Sequence, residues 1–119
     1  MTAKLEQVTV FSSDREVSRT AFASLAASFF RLAEVRLSPT QKVVLCTSHG
    51  LLRDRTVSMT ALADLISRTS GVAYSTVKWN LRALRKMGLL IGGDSDCKGR
   101  PAHLTVEGRM LAEYFDSQV

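Results

Sequence analysis

The chain has 119 residues, 45% of them hydrophobic and 23% charged, with 16 Lys and Arg against 11 Asp and Glu. These values suit one globular domain and exclude a disordered chain, and no apolar run approaches the roughly 18 residues of a membrane span. Because the first residues lack a signal-peptide core and the two cysteines build no disulfide framework, a cytoplasmic setting is expected.

Residues 1–37 are predicted to hold an arm and one long helix. Residues 1–12 fit neither the helical nor the strand period well, which favours a short strand or an ordered arm. Ser13 and Glu16 have the spacing of a capping box, so a helix is expected from about residue 14 to 36. Its apolar stripe suits a core helix or a dimerisation helix about equally, and comprises Phe22, Leu25, Phe29 and Leu32.

Residues 38–119 are predicted to belong to the same compact domain and to begin with two helices. Ser38 and Pro39, with Gln41 at the reciprocal capping-box position, start a second helix that runs to about residue 48 or 52. Ser58 is expected to cap a third helix after a very short strand at 55–57. The segment 67–71 is interpreted as a break.

The fourth helix is expected from about Tyr74 to Met87, because apolar residues recur at i, i+4 and i+7 from Val77 and Gly88 is a natural stop. Short strands at 89–91 and 102–104 would flank a turn-rich loop. Thr105 is expected to cap a last helix. The residues of that helix expected to face inward are Met110, Leu111, Tyr114 and Phe115.

The stretch from Ser75 to Leu90, STVKWNLRALRKMGLL, resembles the recognition helix and hairpin start of winged helix-turn-helix proteins. The segment KGRP at 98–101 and the later Leu-Thr-x-x-Gly at 104–108 are similar to the wing and the closing helix of that superfamily. Residues 38–116 are most similar to MarR-like transcriptional regulators, and the recognition-helix sequence resembles archaeal members in particular. The resemblance implies a mainly α fold with a small β-hairpin wing, and with N- and C-terminal helices added.

Two features depart from this pattern. Residues 67–70 look like roughly one extra helical turn, which would lengthen the third helix or loosen the turn before the fourth. Ala73 stands where a capping Ser or Thr is common, so Ser75 is an alternative start of the fourth helix.

Positive charge concentrates in the middle of the chain, where residues 53–100 hold nine basic and four acidic side chains. Such a patch favours a polyanion. With the resemblance, it predicts a homodimeric regulator that binds a palindromic duplex site, helix 74–87 in the major groove and wing 92–101 on the backbone or minor groove. The side chains assigned to DNA, with a solvated charged face as the alternative, are Tyr74, Ser75, Thr76, Lys78, Trp79, Arg82, Lys98 and Arg100.

Trp79 has two interpretations. The indole either contacts the sugar–phosphate edge or base methyl groups, or it packs against the N-terminal helix. Packing is slightly favoured because a large exposed aromatic ring is unfavourable.

Other functions have weaker support. No nucleophile elbow, phosphate loop or metalloprotease motif is present, so an enzyme is not expected. Cys46-x-x-His49 and Cys97-x5-His103 offer four zinc ligands, but Cys46 follows an apolar run that suits the core, so no metal or cofactor is predicted. Cys97 is a redox-sensing thiol or a merely exposed one. A protein-binding winged-helix module in a transcription or replication assembly is the competing function, and an unknown small-molecule effector is compatible with DNA binding.

Overall fold

Two units make up the chain, Met1–Arg36 and Leu37–Val119. The structure, a computed structural model, describes residues 3–93 and 100–118, with side chains from residue 15 onward. Within these ranges no helix is both long and apolar enough to cross a bilayer.

The first unit is a single helix, α1 (Ala3–Arg36). The strand or arm expected at the chain start is wrong, and so is the capping box as a helix start, since the helix runs straight through residues 13–16. The physical reason lies in what the segment lacks. Neither glycine nor proline occurs before Pro39, and polar residues such as Ser and Asp lower helix propensity by only about 0.7 kcal/mol or less each.

The second unit contains four helices and a hairpin within its described residues. The elements are α2 (Pro39–Leu52), α3 (Met59–Ser70), α4 (Tyr74–Lys86), β1 (Leu90–Ile91), β2 (His103–Leu104) and α5 (Val106–Ser117). Helix α2 contacts α3, α4, α5 and β2, so the core forms around it. Burying each large apolar side chain contributes about 1.5–3 kcal/mol. The fully buried ones are Val44, Leu45, Leu62, Ile66, Val77, Leu81, Leu84, Leu90 and Leu111.

The predicted helix starts of this unit are confirmed. At α2 the Ser38 hydroxyl accepts from the Gln41 amide at 3.1 Å, and the Gln41 side chain accepts from the Ser38 amide at 3.0 Å. At α3 the Ser58 hydroxyl accepts from the Ala61 amide at 3.2 Å. Helix α2 continues through Gly50, so the later of its two expected ends is the observed one.

The strand expected at 55–57 is wrong, because that segment carries no strand. A single antiparallel bridge joins Ser58 to Pro101 instead, and the Val57 carbonyl accepts from the Ala102 amide at 2.8 Å. Proline has no N–H to donate, so pairing does not extend through Pro101.

The hairpin itself is confirmed, with each strand two residues long. Leu90 pairs with Leu104 and Ile91 with His103 in an antiparallel register. Residues 94–99 of the loop between the strands lie outside the described residues.

Candidate nucleic-acid interface

The turn between α3 and α4 is held by local hydrogen bonds. Gly71 ends α3 with φ +77°, and its amide donates to the Ser67 carbonyl at 3.0 Å. The Ser67 hydroxyl donates to the Val72 carbonyl at 2.6 Å, and the Ser70 hydroxyl accepts from the Val72 amide at 3.2 Å. The interpretation of 67–71 as a break is therefore wrong except at Gly71, because residues 67–70 lengthen α3 while the turn after them stays tight.

Helix α4 begins at Tyr74 without a side-chain cap. Ala73 occupies the capping position and makes no side-chain hydrogen bond, and Ser75 lies inside the helix rather than capping it. Uncapped N–H groups at a helix start favour an anion such as a phosphate. The first turn therefore combines this backbone preference with the exposed Ser75 and Thr76.

The inner face of α4 fixes the helix to the rest of the unit. Val77, Leu81 and Leu84 are at most 2% exposed, and α4 contacts α2, α3 and β1. Asn80 is also buried, and its side-chain amide donates to the Thr76 carbonyl at 2.8 Å, which satisfies a polar group in the core. The outer side chains are thus carried by a firmly packed helix.

The rest of α4 is electropositive. The helix carries four cations and no carboxylate. They are Lys78, Arg82, Arg85 and Lys86. Because every charged side chain of α4 is positive, the helix attracts a polyanion, and no carboxylate of the same helix competes with that polyanion for the cations.

One row of exposed side chains runs along the outside of α4. Ser75, Trp79, Arg82 and Lys86 are all exposed and recur at i, i+4, i+7 and i+11, which places them on one line of the helix surface. We call this row the outer stripe. Trp79 is 68% exposed, so α2, α3 and β1, which α4 contacts, leave most of the indole open. Packing of Trp79 against the N-terminal helix stays a prediction.

Two further predicted residues flank the outer stripe. The Lys78 ammonium lies 5.5 Å from the centroid of the Tyr74 ring, and Tyr74 is 38% exposed. A cation–π contact of this exposed kind is worth about 0.5–1 kcal/mol. It restricts Lys78 to one side of the stripe.

The predicted wing residues are placed only in part. Arg100 is exposed where the described chain resumes after the loop. Lys98, like Cys97, lies outside the described residues. The structure thus groups six of the eight predicted contact residues on α4 and adds Arg100 on the hairpin side.

Thr105 caps α5 as predicted, and together with Gly108 it also fixes the root of the hairpin, a role that was not predicted. The Thr105 hydroxyl donates to the Gly88 carbonyl at 2.7 Å and accepts from the Gly108 amide at 3.0 Å. Gly108 faces the Leu89 backbone so closely that a Cβ atom would overlap the Leu89 carbonyl oxygen. The Leu-Thr-x-x-Gly sequence therefore holds the hairpin against α5, and this pattern is the signal from which these contacts could have been predicted.

The candidate zinc ligands on α2 serve packing against α5. The Cys46 thiol donates to the Ala112 carbonyl at 3.8 Å. Burial, together with the charge of Asp116 and a hydrogen bond to it, raises the pKa of the Cys46 thiol to about 11. His49 Nε2 lies 3.9 Å from a Glu113 carboxylate oxygen. Among the described residues, no group of three or more His, Cys, Asp or Glu side chains is arranged to hold a metal ion.

Comparison with known structures gives the fold a precedent. The crystal structure of MepR, a transcription regulator of the Staphylococcus aureus multidrug efflux pump MepA, matches with a TM-score of 0.55 at 19% identity. The match covers 86% of this chain and 73% of MepR. No family model and no curated protein sequence matches the chain. The fold is therefore a winged helix-turn-helix of mainly α structure with a two-stranded hairpin, as the sequence predicts.

Proposed function

We propose that this chain binds double-stranded DNA sequence-specifically and regulates transcription as a homodimer. The observation that carries the proposal is the composition of α4, which carries four cations and no carboxylate, three of the cations exposed, while its inner face is packed in the core. An α-helix fits the major groove, and a winged helix presents one helix in this way. The description of the structural neighbour MepR as a transcription regulator supports the regulatory role.

The contacts divide by chemistry. Lys78 and Arg82 are exposed cations near the middle of α4 and suit phosphate oxygens or the acceptor edge of guanine. Tyr74, Ser75 and Thr76, at the uncapped helix start, suit a phosphate or a base edge there. Residues 92–101 would contact the backbone or the minor groove, with Arg100 and Lys98 as its cations.

The homodimer rests on α1. Phe22, Leu25 and Leu32 are 66%, 68% and 64% exposed, and Phe29 on the same stripe is half-buried. A row of large apolar side chains is normally covered by a partner, and a second copy places two recognition helices about 34 Å apart on a palindromic site. Light scattering at micromolar protein should give twice 13.1 kDa. A monomer mass contradicts the dimer.

The decisive experiment is selection of bound sequences from a random duplex pool, followed by titration of the enriched site. An enriched palindrome is expected, and its half-site spacing reports the dimer symmetry. Lys78→Ala and Arg82→Ala should each weaken binding and reduce the slope of log affinity against log salt by about 1. Arg109→Ala is the matched control, because this exposed cation stands on α5, which packs on α2 and β2.

Two outcomes contradict the proposal. If no sequence is enriched, the competing function of a protein-binding winged helix is favoured. If Lys78→Ala and Arg82→Ala behave like Arg109→Ala, α4 is not the DNA-contacting helix.

A further inference from the structure

We propose that Trp79 contacts the 5-methyl group of a thymine in the major groove, and so makes the protein select a thymine at one position of each half-site. This inference rests on the proposed function and specifies what one residue of the same surface recognises. The observation behind it is the exposure of the Trp79 indole on α4.

The position of Trp79 on α4 points at the groove. Trp79 lies on the outer stripe, one turn after Ser75 and one turn before Arg82, on the side away from the buried Val77 and Leu84. Any partner that accepts the cations of this stripe also meets the indole. The 68% exposed ring cannot be avoided by a duplex that lies along α4.

The charge around Trp79 identifies the partner. Arg82 and Lys86 share its stripe, Lys78 is its chain neighbour, and α4 has no carboxylate. An apolar protein surface would have to remove these cations from water without compensation, whereas DNA phosphates replace the lost solvation by charge pairing. The geometry therefore favours the major groove of a duplex as the surface that covers the indole.

Within a major groove, one base carries an apolar feature. Thymine presents a C5-methyl group beside its O4 acceptor, while the other base edges present hydrogen-bonding groups. The other members of the outer stripe are a hydroxyl and two cations, so Trp79 is its one apolar side chain. Each methyl group removed from water against an apolar ring is expected to contribute about fourfold in affinity.

The test replaces each thymine of the selected duplex, one at a time, by deoxyuridine, which lacks the methyl group and keeps O4. Dissociation constants are measured by fluorescence anisotropy at one salt concentration. For the unaltered protein, one position per half-site should show a loss of about fourfold. Trp79→Ala should bind thymine and deoxyuridine duplexes equally at that position, while Trp79→Phe should keep part of the difference.

Lys86→Ala is the matched control, since it removes a cation from the same stripe and leaves the indole in place. It should weaken both duplexes alike and preserve the deoxyuridine loss. Because Trp79 and Lys86 are exposed, the variants should keep their helices, and far-UV circular dichroism of each variant checks this.

The outcomes separate this inference from the proposed function. Failure of the protein to bind any duplex overturns both. Tight, sequence-specific binding in which no position responds to deoxyuridine overturns the methyl contact alone. The methyl contact is also overturned if Trp79→Ala still binds the deoxyuridine duplex more weakly than the thymine duplex at that position. It is overturned as well if Trp79→Ala lowers the affinity by the same factor for every duplex, which would indicate stacking on the sugar–phosphate edge.

Discussion

Replacing Gly108 by alanine should destabilise the protein, although alanine is normally the better helix former. Gly108 is buried in the first turn of α5, and a Cβ atom there would overlap the Leu89 carbonyl oxygen and lie 3.0 Å from the carbonyl carbon. These are backbone atoms, so no side-chain rotation relieves the overlap. Either α5 or the hairpin root has to move.

The change in the free energy of unfolding has two destabilising contributions and one stabilising contribution. Overpacking of a buried site costs about 1–3 kcal/mol. Displacing the Leu89 carbonyl also weakens its hydrogen bond from the Thr105 amide, now 3.1 Å long, and such a bond contributes about 1 kcal/mol. The higher helix propensity of alanine offsets about 1 kcal/mol. The free energy of unfolding should therefore fall by about 1–3 kcal/mol.

Gly50 supplies the matched control. It is also a helical glycine, in α2, but a Cβ atom there meets nothing within 4 Å. Gly50→Ala should raise the free energy of unfolding by about 0.5–1 kcal/mol. Both variants and the unaltered protein are compared by urea unfolding at equal protein concentration, because self-association would shift the midpoint. A Gly108→Ala protein as stable as the unaltered one, or shifted in the same direction as Gly50→Ala, would contradict the overlap with the Leu89 backbone.

Four further predictions concern stability and thiol chemistry. Thr105→Ala should lower the free energy of unfolding by about 1 kcal/mol or more, because it removes the α5 cap and the hydrogen bond to the Gly88 carbonyl. In urea unfolding, Thr105→Ser should recover most of this loss. Equal midpoints for the two variants would contradict the role of the hydroxyl. Ala73→Ser should raise the thermal midpoint by supplying the missing α4 cap, worth about 1 kcal/mol, and a lowered midpoint would count against an open capping site. In a Cys97→Ser background at about pH 8, the Cys46 thiol should react slowly with a thiol reagent in the folded protein, because its pKa is raised to about 11 and little thiolate is present. It should react rapidly in denaturant, where burial no longer raises the pKa. The folded protein keeps the Cys46 thiol protonated to a higher pH than the unfolded chain does, so the free energy of unfolding should decline as the pH rises from the ordinary thiol pKa of 9.0 toward about 11. A flat profile over this range would refute the raised pKa.

Several elements could be predicted because their signals are local. The capping hydrogen bonds of Ser38, Ser58 and Thr105 each join residues three apart in the chain. Gly71 and Gly88 adopt positive φ where the helix before each of them ends. A few neighbouring residues therefore specify where these helices begin and end. The cationic composition of α4 and its apolar period are local in the same sense, and they sufficed to single out the helix proposed to contact DNA.

The tertiary structure decided what depends on distant neighbours. In place of the strand expected at 55–57, one bridge forms at Ser58, opposite Pro101, which has no N–H to extend the pairing. The exposure of Trp79 follows from which faces of α4 its partner helices cover, and the need for glycine at position 108 follows from the approach of Leu89. Periodicity gives the side of a helix on which a residue lies, whereas burial and close approach depend on the element that packs there. The sequence by itself therefore determined the winged-helix pattern and its basic helix, and only packing decided which side chains that helix presents.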